Sequence, residues 1–145
     1  MNSGELALAI DALKTAIEMD PRDAHSRDAL GFALLSSGDV SAAIASYRAA
    51  LVLQPNHVNA LINLGAALAQ EGDTRDLPAA ISSFRAALVL QPNHVGALNC
   101  LGGALMMKGD PRDVPAAIAS FRAALVLQPN HAIALQYLAI LTKRS

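Results

Sequence analysis

Leucines and alanines recur along the chain at intervals of three and four residues, which is the spacing of an amphipathic α-helix. One such stretch contains Leu61, Leu64 and Leu68, and its pattern breaks at Gly72. A second apolar stripe follows and stops at Pro92, since proline cannot continue a helix. The pattern therefore predicts two helices, called here the first and the second helix, joined by a turn that contains glycine.

This pair of helices is repeated along the chain. The segments AAIASYRAALVLQPNH, AAISSFRAALVLQPNH and AAIASFRAALVLQPNH begin at Ala42, Ala79 and Ala116, a step of 37 residues each time. A weaker copy, LAIDALKTAIEMDPRD, lies upstream, with Pro21 placed 34 residues before Pro55. Repeats of this length are single helical hairpins, which bury their apolar faces only against neighbouring hairpins.

The ends of the predicted helices carry residues that suit those places. Pro78 and Pro115 lie where second helices begin, a position that tolerates the missing N–H group. Asp and Asn side chains just upstream of a helix are predicted to act as N-caps. They are Asp76 and Asp113 before second helices, and Asn56, Asn93 and Asn130 before first helices.

Composition narrows the class of partner. Hydrophobic residues make up 53% of the chain, but aromatic residues only 3%, and there is no tryptophan. Leucine and alanine supply most of the apolar content and favour helices. The net charge is −1 and charged residues amount to 16%, so the chain lacks the basic stripe that nucleic acid or an anionic membrane requires. We expect no polyanionic partner.

The sequence also lacks the residue combinations that catalysis requires. Cys100 is the single cysteine, so no disulfide can form within one chain, and we interpret it as a small packed or groove-lining side chain. His57, His94 and His131 recur, but each lies in the loop of a different repeat, and helices about 10 Å apart cannot place them on one metal. We predict no catalytic residue, no metal site, no cofactor and no enzyme activity.

The N-terminal residues lack the basic region and the apolar core of a signal peptide. Charged residues and prolines interrupt every apolar run, so none approaches the length of about 20 residues that a membrane span needs. These observations predict a cytoplasmic protein, unless the chain is part of a longer one.

Residues at fixed offsets within the repeat resemble those of the tetratricopeptide family, whose pattern is a large residue, Leu-Gly, a large residue, Ala, an aromatic residue and Pro. The matching positions are Arg27, Leu30-Gly31, Leu34, Ala43, Tyr47 and Pro55, then Leu61, Leu64-Gly65, Leu68, Ala80, Phe84 and Pro92, then Leu98, Leu101-Gly102, Leu105, Ala117, Phe121 and Pro129. The resemblance implies an all-α fold, a right-handed α-solenoid of antiparallel helix hairpins with about eight helices. Gly65 and Gly102 are expected to lie where another helix approaches closely.

We expect residues 1–145 to form a single repeat array. Its predicted parts are the second helix of a partial repeat at 4–22, full repeats at 24–56, 58–93 and 95–130, and the first helix of a partial repeat at 132–145. Gly4 is interpreted as the turn glycine that precedes the first part. Two repeats contain three extra turn residues, so that Arg75-Asp76 and Arg112-Asp113 lie in solvated turn extensions or at a secondary docking edge.

In the tetratricopeptide family the first helices line a concave groove, so the resemblance implies a protein or peptide partner held there. The predicted groove residues are Phe32, Asn59, Ile62, Asn63, Ala66, Gln70, Asn99, Gly103, Met106, Met107, Gln136 and Ile140, with His25, Asp28 and Ser36 beside them. Amide side chains can hydrogen-bond a peptide backbone, and methionine adapts to irregular surfaces. We expect an extended or helical peptide of low charge; the alternative is an ordinary solvated surface.

Two subtypes of the family bear on the ligand. A clamp for acidic C-terminal tails of chaperones needs several Lys and Arg residues, which the groove faces of the two central first helices lack. The repeats also resemble those of O-linked N-acetylglucosamine transferases, whose asparagine ladder Asn63 matches, while Ala29, Cys100 and Tyr137 stand at the equivalent positions of the other repeats. The alternative function is therefore the recognition arm of a larger enzyme such as a glycosyltransferase.

The outer side of the second helices carries an apolar row. Val52, Val89 and Val126 stand where a charged residue is common, beside a sparse row of Arg48, Arg85 and Arg122. We expect these valines either to pack between neighbouring repeats or to form a second contact surface.

The two partial repeats leave one helix unpartnered at each end of the array. The chain is then either part of a longer array, or the last helix of one molecule completes the first helix of the next. Such a head-to-tail contact is heterologous and produces a ring or a filament.

Overall fold

The structure is a computed structural model that describes residues 2–70 and 76–143, and within these ranges every regular element is a helix. The α-helices are α1 Ser3–Met19, α2 Ala24–Ser36, α3 Val40–Leu53, α4 Val58–Gln70, α5 Leu77–Leu90, α6 Val95–Lys108, α7 Val114–Leu127 and α8 Ala132–Lys143. A short 3-10 helix, Pro111–Asp113, precedes α7. First helices of the predicted repeats are α2, α4, α6 and α8, and second helices are α1, α3, α5 and α7.

The chain divides into two compact units, Met1–Asp76 and Leu77–Ser145. In the first unit, α1 to α4 pack in order, each against the next. In the second unit, α5 to α8 do the same. The division falls in the turn of the predicted repeat 58–93, and the repeat boundaries themselves stay a prediction.

The core of the first unit is built where α3 packs on α2. Ala43, Tyr47 and Ala50 of α3 are fully buried, each with 0% exposure. A Cβ atom on Gly31 of α2 would lie 2.6 Å from the ring of Tyr47, closer than any carbon contact allows. Glycine is therefore required at this position, because the tyrosine ring lies directly against the backbone of α2.

The second unit repeats this contact where α7 packs on α6. Phe121 is fully buried, and a Cβ atom on Gly102 would lie 2.7 Å from its Cζ atom. The close approach predicted for Gly102 is thus confirmed. The ring of Phe121 also stacks on that of Tyr137 from α8, with 5.5 Å between the ring centroids.

Side chains cap several helices of the first unit. The Asn2 side chain accepts from the backbone N–H of Glu5, and the Glu5 carboxylate accepts from the backbone of Asn2, which forms a capping box. The carboxylate of Asp23 accepts from the backbone N–H groups of His25 and Ser26 at the start of α2, and that of Asp39 accepts from the backbone N–H of Ala42 at the start of α3. Helix α1 begins at Ser3, so Gly4 lies within the helix, and its interpretation as a turn glycine is wrong.

The prediction that asparagines cap the first helices is also wrong, because the next residue does so. Nδ1 of His57 accepts from the backbone N–H of Ala60 at 3.1 Å, and Nδ1 of His94 accepts from Ala97 at the same distance. His131 makes the corresponding contact with α8 at 3.5 Å. A neutral imidazole ring offers one unprotonated nitrogen, which here replaces the usual capping oxygen.

The longer turn of the second unit departs from prediction in one respect. Pro115 lies in the first turn of α7 as predicted, but Asp113 makes no side-chain capping bond. Its carboxylate instead lies 3.1 Å from Nζ of Lys108, while Asp110 pairs with Arg112 at 2.7 Å. Of the other extended turn, Arg75 lies outside the described residues, and Asp76 directly precedes α5.

Candidate functional site

The first unit presents part of the predicted groove on α2 and α4. Phe32 is 61% exposed, and Asn59 and Gln70 are also exposed, at the two ends of α4. Ile62, Asn63 and Ala66 are half-buried. These six side chains combine one large exposed ring with amide and aliphatic groups, and their role as a groove stays a prediction.

One of these amides already has a partner within the unit. Nδ2 of Asn63 donates a hydrogen bond of 3.1 Å to Oδ1 of Asp28. Asp28 is only 7% exposed, so this residue, which the sequence placed beside the groove, is instead enclosed between α2 and α4. The NH₂ group of the Asn63 side chain therefore links α4 to α2.

The second unit presents the other predicted residues on α6 and α8. Met107 is 48% exposed and Ile140 36%, and Gln136 is exposed as well. Gly103 lies in the interior of α6, yet a Cβ atom built on it would meet no atom within 4 Å. No atom of the described residues therefore requires glycine at this position, unlike at its neighbour Gly102.

Asn99 is engaged by the capping histidine of the next helix. Its amide nitrogen lies 3.2 Å from Nε2 of His131, across a contact that joins α6 to the start of α8. The sequence analysis interpreted His131 only as a loop residue. Its position directly before a helix was the available signal, because a side chain there can reach both the helix end and the preceding first helix.

The faces of the two central first helices are neutral. Helix α4 contains no charged residue, and α6 contains only Lys108, in its last turn. Lys108 is paired with Asp113, so its charge is already compensated. A ligand on these faces meets amides, methyl groups and thioethers rather than fixed charges.

Cavities touch the predicted site at two places. In the first unit, a cavity of about 280 Å³ lies between Leu6 of α1 and Phe32, Ala33 and Ser36 of α2. In the second unit, a cavity of about 410 Å³ lies beside the turn after α6. Its lining residues are Leu105, Met106, Gly109, Asp110, Pro111, Val114, Ala117 and Leu141. Leu6 was not predicted, because it belongs to a second helix.

Cys100 is half-buried within α6. Burial raises the pKa of the Cys100 thiol, which lowers its thiolate content and hence its reactivity. Within residues 2–70 and 76–143, no group of three or more His, Cys, Asp or Glu residues is arranged to hold a metal ion. Within the same ranges, none of the helices has the length and apolarity that crossing a membrane would take.

The outer valines differ from one of the two predictions made for them. Val52 is 82% exposed, and Val89 and Val126 are 81% exposed each, so they do not pack between repeats. The leucines that follow them, Leu53, Leu90 and Leu127, are 38–40% exposed. Each of these second helices therefore ends in an exposed apolar pair.

Two protein-family profiles match the chain. One, described as a TPR repeat, covers residues 31–72, and the other, described as a tetratricopeptide repeat, covers residues 72–132. Together they span well over half of the 145 residues. Neither match relates the repeats to those of O-linked N-acetylglucosamine transferases in particular.

Solved structures share the fold. Two crystal structures of MamA match with TM-scores of 0.85 and 0.86, each at 24% identity over 97% of this chain and over 73% and 78% of their own chains. The first TPR of Spaghetti (RPAP3), bound to the HSP90 peptide SRMEEVD, matches with a TM-score of 0.74 at 19% identity, over 83% of this chain and 94% of its own. The predicted fold class, an all-α α-solenoid, is thereby confirmed. No curated protein sequence matches this chain.

Proposed function

Because the chain belongs to the tetratricopeptide repeat family, we propose that it is a scaffold that binds a low-charge peptide or helix on the exposed faces of its first helices. One observation carries the proposal. Gly103 faces open space in the interior of α6, where alanine would stabilise the helix by about 1 kcal/mol. A glycine that the fold does not need leaves room for the backbone of a ligand to approach α6 closely.

Further side chains of α6 and α8 support the same ligand. Met106 and Met107 flank the open space along α6 with flexible apolar groups, which adapt to irregular partners. Gln136 and Ile140 add an exposed amide and an exposed aliphatic group from α8. Amides can donate to and accept from a peptide backbone without selecting a particular sequence.

The charge of the peptide bound to the RPAP3 repeat does not suit helices α4 and α6 of this chain. The peptide SRMEEVD bound to the RPAP3 repeat contains three carboxylate side chains. Helices α4 and α6 offer such a peptide no unpaired cation, since Lys108 is bonded to Asp113. We therefore expect the ligand to carry few charges, with apolar and amide side chains facing the helices.

The alternative proposal, a recognition arm of a larger glycosyltransferase, depends on Asn63. In those transferases the asparagine ladder is presented to the substrate, whereas Nδ2 of Asn63 donates to Asp28 in this chain. One partly engaged asparagine gives this alternative less support than Gly103 and its neighbours give to a peptide scaffold.

The test is selection of ligands from a library of random short peptides displayed on phage, followed by calorimetric titration of the enriched peptides. Gly103→Arg adds a long, charged side chain at a position where its Cβ atom would meet no atom within 4 Å. We expect it to weaken binding by at least about tenfold, or about 1.4 kcal/mol.

Val126→Arg is the matched control, because Val126 is 81% exposed on the outer side of α7, and we expect it to leave binding unchanged. Enrichment of no peptide, or equal affinity of the Gly103→Arg variant and the original chain, would overturn the proposal. Circular dichroism of both variants checks that the helices are intact.

A further inference from the structure

Helix α1 presents the face that a second helix normally buries. In α3, the core residues Ala43, Tyr47 and Ala50 are fully buried against α2. The equivalent residues of α1, placed 34 positions earlier, are Ala9, Leu13 and Ala16, and all three are only half-buried. None of the described residues of α1 is fully buried. This face carries core residues in the register of a second helix, and it is more exposed than the equivalent face of α3.

Helix α8 presents the complementary face. In α6, Leu98 and Leu101 are each 8% exposed. Their equivalents in α8, placed 37 positions later, are Leu135, which is 47% exposed, and Leu138, which is half-buried. The leucines that α6 buries with the help of α7 are thus open to solvent on α8.

The two faces also match each other in size at the point of closest contact. Within both units, a glycine of the first helix lies against a ring of the second, Gly31 against Tyr47 and Gly102 against Phe121. At the equivalent positions α8 carries Ala139, which is exposed, and α1 carries Leu13. A methyl group replaces the hydrogen of glycine on one face, and a smaller aliphatic side chain replaces the ring on the other.

This exchange preserves the contact, whereas either change alone would not. The Cβ atom of an alanine at the glycine position would lie less than 3.0 Å from a ring carbon, since a Cβ atom on Gly102 would lie 2.7 Å from Cζ of Phe121. A leucine opposite glycine would leave a void where the ring had been. Ala139 and Leu13 suit each other better than either suits an aromatic residue or a glycine.

We propose that the α8 face of one copy binds the α1 face of a second copy, with Leu13 packed on Ala139 as Phe121 packs on Gly102. The contact residues are apolar on both sides, which favours burial. The contact is heterologous, because each copy contributes a different face, and in a bound pair one copy keeps a free α1 face while the other keeps a free α8 face. The chain is therefore expected to assemble progressively, and this inference does not depend on peptide binding at Gly103.

The test is light scattering coupled to size-exclusion chromatography over a range of protein concentrations. The original chain is expected to show a mass above the monomer value of 15.0 kDa that rises with concentration. Leu13→Glu and Leu135→Glu each place a charge on one face and should each give a monomer. When the two variants are mixed, the intact α8 face of the first meets the intact α1 face of the second, so the mixture should give a dimer of twice the monomer mass and nothing larger.

Val126→Glu is the control, since Val126 is exposed outside both faces, and its assembly should equal that of the original chain. If a glutamate variant fails to fold, single-cysteine variants replace it: Leu13→Cys and Ala139→Cys, each with Cys100→Ser. Oxidation of their mixture should give a mixed disulfide dimer, which a mixture of Val126→Cys and Ala139→Cys should not. A monomer at every concentration overturns the proposal. A mixture of the glutamate variants that stays monomeric, while the original chain associates, overturns the head-to-tail pairing.

Discussion

Two helical hairpins, α2 with α3 and α6 with α7, share one packing contact but differ in the polar groups around it. In both, a Cβ atom built on a glycine of the first helix would lie less than 3.0 Å from a ring carbon of the second helix. The ring is Tyr47 in the first unit and Phe121 in the second. What stays constant is the contact of glycine with a buried ring, and what varies is the polar chemistry around it.

That variation is visible at the ring itself. The hydroxyl of Tyr47 is buried and has no hydrogen-bond partner among the residues that the structure describes. Phe121 fills the same position with no hydroxyl, and its ring stacks on Tyr137. The turns differ as well, since only the second hairpin contains the 3-10 helix with its paired Asp110 and Arg112. Shape is therefore kept more strictly than polarity in these hairpins.

The largest effect is expected from adding a methyl group at the constant contact. Gly102→Ala forces the ring of Phe121 to move, at a cost of about 1–3 kcal/mol, which exceeds the helix-forming gain of alanine. Gly31→Ala should cost a similar amount against Tyr47. Urea unfolding followed by circular dichroism measures both changes.

The neighbouring glycine supplies the control for this prediction. Gly103→Ala adds the same methyl group one residue further along α6, where it meets no atom within 4 Å, and should stabilise the protein by up to about 1 kcal/mol. Equal effects of Gly102→Ala and Gly103→Ala would contradict the close packing against Phe121.

A smaller and uniform effect is expected from the capping histidines. His94→Ala removes the acceptor for the N–H of Ala97, and His57→Ala removes the one for Ala60, both bonds being 3.1 Å long. Each should lower the free energy of unfolding by about 1 kcal/mol, because an N-cap is lost in either unit. His94→Asn keeps a hydrogen-bond acceptor and should lower the free energy of unfolding by less. If His94→Ala and His57→Ala lower it by clearly different amounts, the two caps are not equivalent.

The smallest effect is expected where the two hairpins differ. Tyr47→Phe copies Phe121 into the first unit and removes a buried hydroxyl without a partner, so we expect a gain of up to about 1 kcal/mol in unfolding free energy at neutral pH. A loss would mean that the hydroxyl contributes a favourable interaction. The same urea unfolding experiment decides between the two signs.

The advantage of Tyr47→Phe should grow in alkali. Burial, and then the carboxylate of Asp28, raise the pKa of Tyr47 from 10.0 to about 12. The folded protein holds the phenolic proton more tightly than the unfolded chain. The raised pKa therefore contributes to the free energy of unfolding in full below pH 10, and this contribution is lost as the pH rises through 12. The phenylalanine variant lacks this loss, so thermal unfolding of the two proteins should diverge between these pH values.

The sequence predicted the packing better than the polar contacts, for a physical reason. Gly102 and Phe121 occur at fixed offsets within one repeat, so the pattern that identifies the hairpin also identifies their contact. The bond between Asn63 and Asp28 spans 35 residues and joins two repeats that carry different side chains at these positions. The repeat pattern cannot predict such a hydrogen bond, because the pair of side chains does not recur in the other repeats.

The role of the capping histidines was missed although they recur, and of the two predictions for the recurring outer valines, packing between repeats is wrong. The capping preference for asparagine drew attention to Asn56, but the residue next to the helix is His57, and its ring reaches the free N–H groups. Val52 follows Arg48 by four residues, and residues at that spacing share one face of a helix. The exposed arginine row could therefore have placed the valines outside as well.

The placement of the two tyrosines gives the protein an optical label in each half. There is no tryptophan, Tyr47 lies in the first unit, and Tyr137 lies in the second. One ring is fully enclosed, while the other is 36% exposed and stacks on a phenylalanine. Their ultraviolet absorption and emission therefore report separately on the two units, and replacing either tyrosine with phenylalanine leaves a single chromophore that shows whether one half melts before the other.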